Sequence, residues 1–216
     1  MYLVLQYDNR PLDCLDIYLI NLNIEYCNQH NYKHIFISET YDLPPYWIKV
    51  YLINEFLSSG QFDGILWLDT DACIHDTTTK LEDIIITGKT FYFSPDKPVW
   101  EKPSIFNAGV FFVLNNNIGA NIINEWMKCY NQELWHKNEY NKWITPGEWS
   151  GDAYEQGSLC THILPKYNEH FHVFEWNYFQ SNYTDIINST PAAIFSLHFC
   201  SDKHNINKYL RKRVIS

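Results

Sequence analysis

Residues 64–74 read Gly-Ile-Leu-Trp-Leu-Asp-Thr-Asp-Ala-Cys-Ile, an apolar run that ends in two carboxylates and then becomes apolar again. An uninterrupted apolar run of this length, bounded by Gly64 and by polar residues, is typical of a buried strand in a mostly parallel sheet. Ligands of such sheets bind beyond the carboxyl ends of the strands, where Asp69 and Asp71 would lie. The stretch therefore predicts an α/β fold with a ligand site at these two residues.

The spacing of the two aspartates favours a metal ion as that ligand. Residues two apart in an extended chain point the same way, so both carboxylates can face one ligand. Two carboxylates in an apolar setting repel each other unless a cation lies between them. Mn²⁺ and Mg²⁺ take oxygen ligands and bridge to phosphates. Two solvated turn residues at a strand end are the alternative, but the apolar sequence on both sides favours a metal–diphosphate site.

The composition limits the class of protein. Of the 216 residues, 46% are hydrophobic and 19% are charged, and the formal net charge is −9. These values predict one globular domain and argue against nucleic-acid binding by a broad basic face. The six cysteines form no Cys-x-x-Cys pair, and no leader peptide or apolar run of about 20 residues is present. We therefore predict a cytoplasmic protein with reduced thiols and no transmembrane segment.

Hydrophobic periodicity predicts alternating strands and helices along the chain. Strands are expected at residues 3–7, 34–38, 64–68, 91–94, 110–114 and 194–199, and helices at 15–26, 47–57 and 119–131. Asp13 is the expected cap of the first helix. Residues 135–151 have no clear periodicity and are expected to form loop and short helix at the rim of a cleft.

Three polar features allow two interpretations each. Asp8 follows the first strand and either contacts a nucleotide base or ribose, or only shapes the turn. Lys49 lies in a first helical turn, where a cation is disfavoured, so it is either solvated or paired with an anion. The basic tail, residues 208–213, fits a solvated terminal helix or a linker better than a phosphate or membrane contact.

Motifs in a fixed order resemble those of glycosyltransferase family 34, the galactosyl-, mannosyl- and xylosyltransferases. In that family a Trp-x-Lys helix precedes an aromatic strand ending in Asp-x-Asp. An Asn-x-Gly strand, an Asp-Gln-Ser-type segment and a closing His motif follow. The corresponding segments are Trp47-Ile48-Lys49, Leu66-Trp67-Leu68-Asp69-Thr70-Asp71, Asn107-Ala108-Gly109, Glu155-Gln156-Gly157-Ser158 and His198-Phe199.

The resemblance implies one GT-A domain over residues 1–216, a Rossmann-like α/β domain whose mostly parallel central sheet is flanked by helices. Residues 1–115 would form the half that binds nucleotide-sugar and metal, and residues 116–216 the acceptor-side half. The compact chain, without a membrane anchor, resembles the N-terminal domain of a chlorovirus-type glycosyltransferase. That likeness implies a monomer in the cytoplasm, the host cytoplasm if the protein is viral, continuing beyond residue 216.

The resemblance also implies the reaction and its residues. A sugar would pass from a UDP-sugar to a hydroxyl of a carbohydrate or glycoprotein, with Mn²⁺ or Mg²⁺ held by Asp69, Asp71 and His198. Tyr7 would stack on uridine and Asp8 would accept from uracil or ribose. The other residues expected to bind the donor are Gln6, Lys49, Thr70, Asn107, Ala108 and Lys203. The candidate catalytic residues are Asp152, Glu155 and Gln156.

The stereochemistry and the class of protein both have alternatives. A retaining enzyme requires no strong base, whereas an inverting one requires a carboxylate such as Asp152 to activate the acceptor. A non-catalytic carbohydrate- or nucleotide-binding module would also suit the aromatic-rich composition. A nucleotidyltransferase would place paired carboxylates after a strand, but would usually add a Gly-rich phosphate loop or a basic cluster.

Overall fold

The computed structural model describes residues 1–98, 101–148, 150–188 and 194–215. The strands are β1 (Tyr2–Tyr7), β2 (Lys33–Ile37), β3 (Gly64–Leu68), β4 (Ala72–Ile74), β5 (Phe91–Phe93), β6 (Val110–Leu114), β7 (His136–Lys137), β8 (Trp143–Ile144), β9 (Phe171–Val173) and β10 (Ser196–His198). The α-helices are α1 (Cys14–His30), α2 (Pro45–Ser58), α3 (Asn117–Lys128), α4 (Glu155–Ser158), α5 (Leu164–Tyr167), α6 (Trp176–Phe179), α7 (Tyr183–Asn188) and α8 (Lys203–Ile215).

Six strands form the central sheet in the order β2-β1-β3-β6-β5-β9. The pairs β1–β2, β1–β3 and β5–β9 are parallel, whereas β6 is antiparallel to both of its neighbours. The predicted mostly parallel sheet flanked by helices is thereby confirmed. Because β6 runs against β3, the start of β6 lies beside the carboxyl end of β3. The chain segments that follow β1 and β3 and precede β6 therefore meet at one edge.

Alternate residues of β3 enter two different parts of the core. Ile65 and Trp67 pack with residues of α2 and α3, while Leu66 and Leu68 pack with the opposite cluster, which includes Tyr26 of α1. This alternation follows from the period of two in a strand. It also directs Asp69, two residues beyond Trp67, toward the side of the sheet covered by α2.

The first helix begins where the sequence predicts it. Asp13 accepts hydrogen bonds from the backbone N–H groups of Leu15 and Asp16, and the Asp16 carboxylate accepts one from the N–H of Asp13. This reciprocal capping box satisfies N–H groups that the first turn of a helix leaves without partners.

A second, two-stranded sheet brings distant parts of the chain together. Strand β10 pairs antiparallel with β4, which starts directly after Asp71, and His198 lies opposite Ala72. The N–H of Phe199 donates to the carbonyl of Asp71 at 3.0 Å. The late strand is shorter than the predicted residues 194–199, yet its position puts His198 beside the two aspartates.

Residues 135–151 differ from the prediction of loop and short helix. They contain the antiparallel hairpin β7–β8, in which His136 pairs with Ile144 and Lys137 pairs with Trp143. Strands of two residues are too short for an alternating pattern to show in the sequence. Across the described ranges, no helix is long and apolar enough to cross a membrane.

Candidate functional site

An open cleft of about 930 Å³ lies at the edge where β1 and β3 end. Seven of the predicted site residues line it: Tyr7, Asp8, Lys49, Asp69, Thr70, Asp71 and Lys203. The hairpin β7–β8 contributes Lys137, Lys142 and Trp143 to the same cleft. The cleft therefore combines several carboxylates with cationic and aromatic side chains.

The predicted metal ligands come together beside this cleft. Asp69, Asp71 and His198 each offer a ligand atom, and these atoms lie within 4.8 Å of one another. The Nε2 atom of His198 lies 3.4 Å from Oδ1 of Asp71. Two carboxylates and one imidazole form a donor set that suits Mn²⁺. The residues therefore fit a divalent cation.

The backbone between β3 and β4 makes a tight turn that is held from both sides. The N–H of Asp69 donates to the carbonyl of Gly109 at 2.8 Å, and the N–H of Ala72 donates to the carbonyl of Asp69 at 2.9 Å. The backbone N–H of Ser201 donates to the carboxylate of Asp71. The position of both aspartates is therefore fixed by the protein itself.

Gly109 explains part of the Asn-Ala-Gly motif. A Cβ atom at this position would lie 2.1 Å from Cε1 of His198, which is too close for any residue with a side chain. The glycine therefore makes room for the imidazole ring at the start of β6.

Charge interactions join His198 to Asp71. Burial alone would lower the pKa of His198, but Cys200 and Asp71 beside it raise that pKa well above its ordinary value. Burial likewise opposes ionisation of Asp71, yet His198 and the N–H of Ser201 lower the pKa of this carboxyl. Without a cation, the two groups therefore form an ion pair, and a bound metal would replace the proton of the imidazole.

Lys49 is a buried cation between two carboxylates. Its Nζ atom lies 3.1 Å from Oδ1 of Asp69, 3.5 Å from Oε1 of Glu155 and 2.9 Å from the carbonyl oxygen of Ala108. Burial opposes its charge, but Asp69 and Glu155 outweigh that effect and raise the pKa of Lys49. The indole N–H of Trp67 donates to the same Asp69 oxygen at 2.8 Å. Lys49 is therefore paired with anions of the protein rather than solvated.

Helix α4 lies behind the turn that precedes β6. The Oε1 atom of Gln156 accepts from the N–H of Ala108 at 3.0 Å, and burial raises the pKa of Glu155 although Lys49 opposes that shift. Asn107 donates to the buried Asp96 at 2.7 Å and accepts from the N–H of Gly109. These residues, predicted to bind the donor or to act in catalysis, support the cleft from behind and do not line it.

Asp152 and Gln6 also lie outside the cleft lining. Asp152 is exposed, accepts from Thr161 at 2.6 Å and lies 3.6 Å from Nε2 of His162. Gln6 is buried beneath the aspartate turn, and its amide donates to the carbonyl of Asp69 at 3.3 Å. Gln6 therefore contacts the backbone of the site, whereas Asp152 belongs to a separate surface cluster.

The segment after β1 holds Asp8 in a fixed orientation. Arg10 donates to both carboxylate oxygens of Asp8, at 2.9 and 2.6 Å, and Thr70 donates to one of them at 2.9 Å. Burial alone would raise the pKa of Asp8, but these partners lower it. Tyr7 is 9% exposed, and its buried hydroxyl has no hydrogen-bond partner among the described residues. Arg10 was not anticipated from the sequence, because a single arginine after a turn is not a motif.

Lys203 joins the cleft to the first helix. This lysine, at the start of α8, forms ion pairs with Asp13 and Asp16. It lines the same cleft as the aspartate pair, as do Lys137 and Lys142, so several cations are present where an anionic ligand would bind.

The comparisons with known proteins agree with this architecture. Residues 6–93 match the model of the galactosyl transferase GMA12/MNN10 family, which is family 34. A glycosyltransferase involved in the glycosylation of the major capsid of PBCV-1 is similar in structure, with a TM-score of 0.70 and 16% identity. That match covers 97% of this chain and 98% of the other. The glycosyltransferase GlyE of Streptococcus pneumoniae TIGR4 matches with a TM-score of 0.50 and 15% identity, over 98% of this chain and 64% of its own. No curated protein matches the chain.

The chain has a mixed α/β fold similar to that of the GT-A glycosyltransferases. Taken with this fold, the family match over residues 6–93 supports a sugar-transferring glycosyltransferase similar to family 34. The resemblance predicted from the sequence motifs is thereby confirmed.

Proposed function

We propose that the protein is a metal-dependent glycosyltransferase that moves a sugar from a UDP-sugar to a hydroxyl of a carbohydrate or glycoprotein. The observation that carries this proposal is the convergence of Asp69, Asp71 and His198, whose ligand atoms lie within 4.8 Å of one another beside an open cleft. The proposed setting is viral or cell-surface glycan synthesis, by a monomer acting in the cytoplasm.

The three residues would hold Mn²⁺ or Mg²⁺. A cation bound there would supply Lewis-acid stabilisation of the negative charge on the leaving diphosphate. The imidazole favours Mn²⁺, because Mg²⁺ prefers oxygen ligands. The net charge of −9 adds a physical reason, since a diphosphate needs local positive charge in so acidic a protein.

The role of Lys49 is to orient the carboxylate of Asp69. Its ammonium group and the indole of Trp67 both donate to Oδ1 of Asp69. Among the described residues, the second oxygen of this carboxylate has only the longer hydrogen bond from Lys49, at 3.5 Å. A carboxylate held in this way loses little conformational freedom when it binds a cation. Lys203 is more accessible than Lys49 and would contact the diphosphate.

The nucleoside would bind at the end of β1. Tyr7 lines this end of the cleft and would stack on the base. Asp8, kept ionised by Arg10 and Thr70, would accept from the base or the ribose.

The donor sugar would lie toward the turn formed by Asn107 and Ala108, with Glu155 and Gln156 behind it. Gln156 would hold this turn in place, because its Oε1 atom accepts from the N–H of Ala108. Asp152 would be required only if the reaction inverts the anomeric configuration, as the base that activates the acceptor.

The test is UDP release from a panel of UDP-sugars, with and without Mn²⁺, for the wild type and for Asp71→Asn. We expect Mn²⁺-dependent UDP release from at least one donor, and its loss in the variant. Lys102→Met serves as a matched control, because Lys102 and its partner Glu148 are both largely exposed. A non-catalytic binding module would bind UDP without releasing it from any donor, and that result would refute the proposal.

A further inference from the structure

The imidazole of His198 has a second hydrogen-bond partner on the side away from Asp71. Its Nδ1 atom lies 2.7 Å from Oε1 of Gln180, while Nε2 faces Asp71 at 3.4 Å. Both His198 and Gln180 are buried, with exposures of 8% and 5%. The two ring nitrogens therefore have different surroundings, one an amide oxygen and the other a carboxylate.

Gln180 is itself held in place by the backbone. Its amide nitrogen donates to the carbonyl of Val110 at 3.4 Å, which leaves the amide oxygen facing His198. Gln180 directly follows α6, and its N–H donates to the carbonyl of Trp176, the first residue of that helix. The N–H of His198 donates to the carbonyl of Ser181. Side chain and main chain therefore fix Gln180 and His198 relative to each other.

The other neighbours of the ring do not compete for this role. Gly109 leaves space for the ring and offers no side chain. The Sγ atom of Cys200 lies 3.7 Å from Nδ1, farther than the amide oxygen of Gln180. A thiol is also a weaker acceptor than an amide oxygen. Gln180 is therefore the main acceptor for a proton on Nδ1.

We infer that Gln180 is a positioning residue of the metal site. By accepting the Nδ1–H bond, it fixes the tautomer in which the lone pair of Nε2 points toward Asp69 and Asp71. The inference rests on the proposed function, because it assumes that His198 binds a cation. Loss of such an outer partner typically weakens metal binding by about 10- to 100-fold.

The test compares Mn²⁺ binding by the wild type and Gln180→Met. Methionine keeps the approximate length of the side chain and removes the strong acceptor. Electron paramagnetic resonance of free Mn²⁺ gives the dissociation constant, and electron spin-echo modulation detects a nitrogen bound to Mn²⁺. We expect Gln180→Met to weaken binding by about tenfold or more and to reduce the nitrogen signal. Gln180→Glu keeps an acceptor oxygen on the side chain, and we expect it to keep both the Mn²⁺ affinity and the nitrogen signal of the wild type.

Ser196→Ala is the matched control for a merely structural effect. Ser196 lies on the same strand as His198, and its hydroxyl donates to the carbonyl of Phe179 rather than to the ring. We expect this variant to lower the melting temperature while leaving Mn²⁺ affinity unchanged. If Gln180→Met does not fold, Gln180→Asn takes its place in the test. The side chain of asparagine is too short to reach Nδ1, so we expect Gln180→Asn to weaken Mn²⁺ binding as well.

If folded Gln180→Met, or Gln180→Asn in its place, binds Mn²⁺ with wild-type affinity and gives an unchanged nitrogen signal, the inference about Gln180 is wrong. The proposed metal site would not be affected by that result. Equal weakening in Ser196→Ala would also overturn the inference, since the effect would then be structural. A wild-type protein that binds no Mn²⁺ would instead refute the proposed metal site, and the inference with it.

Discussion

Replacement of Lys49 by methionine tests whether the buried cation supports the aspartate turn. Lys49 is 7% exposed, and its Nζ atom lies 3.1 Å from Asp69 and 3.5 Å from Glu155. Removal of one partner from a buried ion pair costs about 3–5 kcal/mol, because the remaining charge has no compensation. The Lys102→Met control removes an exposed ion pair and is expected to cost less than about 1 kcal/mol.

The cost for Lys49→Met is expected to depend on pH. Burial already raises the pKa of Glu155, and loss of Lys49 removes the charge that opposes this shift. A folded-state pKa above the unfolded value stabilises the protein at low pH, and this stabilisation is lost as the pH rises. The variant is therefore expected to lose more stability at pH 8 than at pH 5.

Urea unfolding of the wild type, Lys49→Met, Glu155→Gln and the double variant measures this coupling. At pH 8 we expect the double variant to have a free energy of unfolding at least about 1 kcal/mol higher than that of Lys49→Met, because Glu155→Gln removes the uncompensated carboxylate. A Lys49→Met protein as stable as the wild type, or a cost that Glu155→Gln does not change, would refute the reasoning.

Three further predictions follow from the site and its surroundings. UDP binding measured by calorimetry should weaken at least about tenfold in EDTA relative to Mn²⁺, roughly 1.4 kcal/mol, and equal affinities would contradict metal coupling. Gly109→Ala should weaken Mn²⁺ binding, because its Cβ would clash with His198. The control Gly119→Ala, whose Cβ would clash with the carbonyl of Leu114, should only destabilise the fold. Equal Mn²⁺ affinities of the two variants would contradict this prediction. Burial lowers the pKa of His34 to about 4. Between about pH 6.5 and 4 the unfolded chain therefore binds a proton at His34 that the folded chain does not bind. The free energy of unfolding should decrease as the pH is lowered through this range. His34→Asn should flatten this slope in urea unfolding, and an unchanged slope would exclude His34 as its source.

The parts of the fold that the sequence predicts are those with long local patterns. Strand β3 shows five consecutive apolar residues, and α1 shows both a cap and a repeating apolar face. The hairpin β7–β8 shows neither, because each of its strands has two residues. The other elements that the sequence did not predict, among them β4, α6 and α7, are also short.

The sequence indicates those candidate site residues that fall into a motif, and it does not indicate contacts made across the fold. The aspartate pair was indicated by its own strand, and His198 by the resemblance to family 34. Gln180 belongs to no motif, and its contact with His198 depends on how α6 lies against β10. The pairing of Lys49 with Glu155 likewise depends on the packing of α4 behind the sheet, which no local pattern encodes.

The pairing of β10 with β4 has a consequence for how the site is made. More than half of the chain separates Asp71 from His198. On the ribosome, both carboxylates emerge long before the imidazole does, so the nascent chain holds an incomplete set of ligands. A cation that binds all three residues acts only on the finished fold and fastens β10 to the first half of the domain. Mn²⁺ would then stabilise the pairing of β10 with β4, and this stabilisation would increase with the metal concentration of the surroundings.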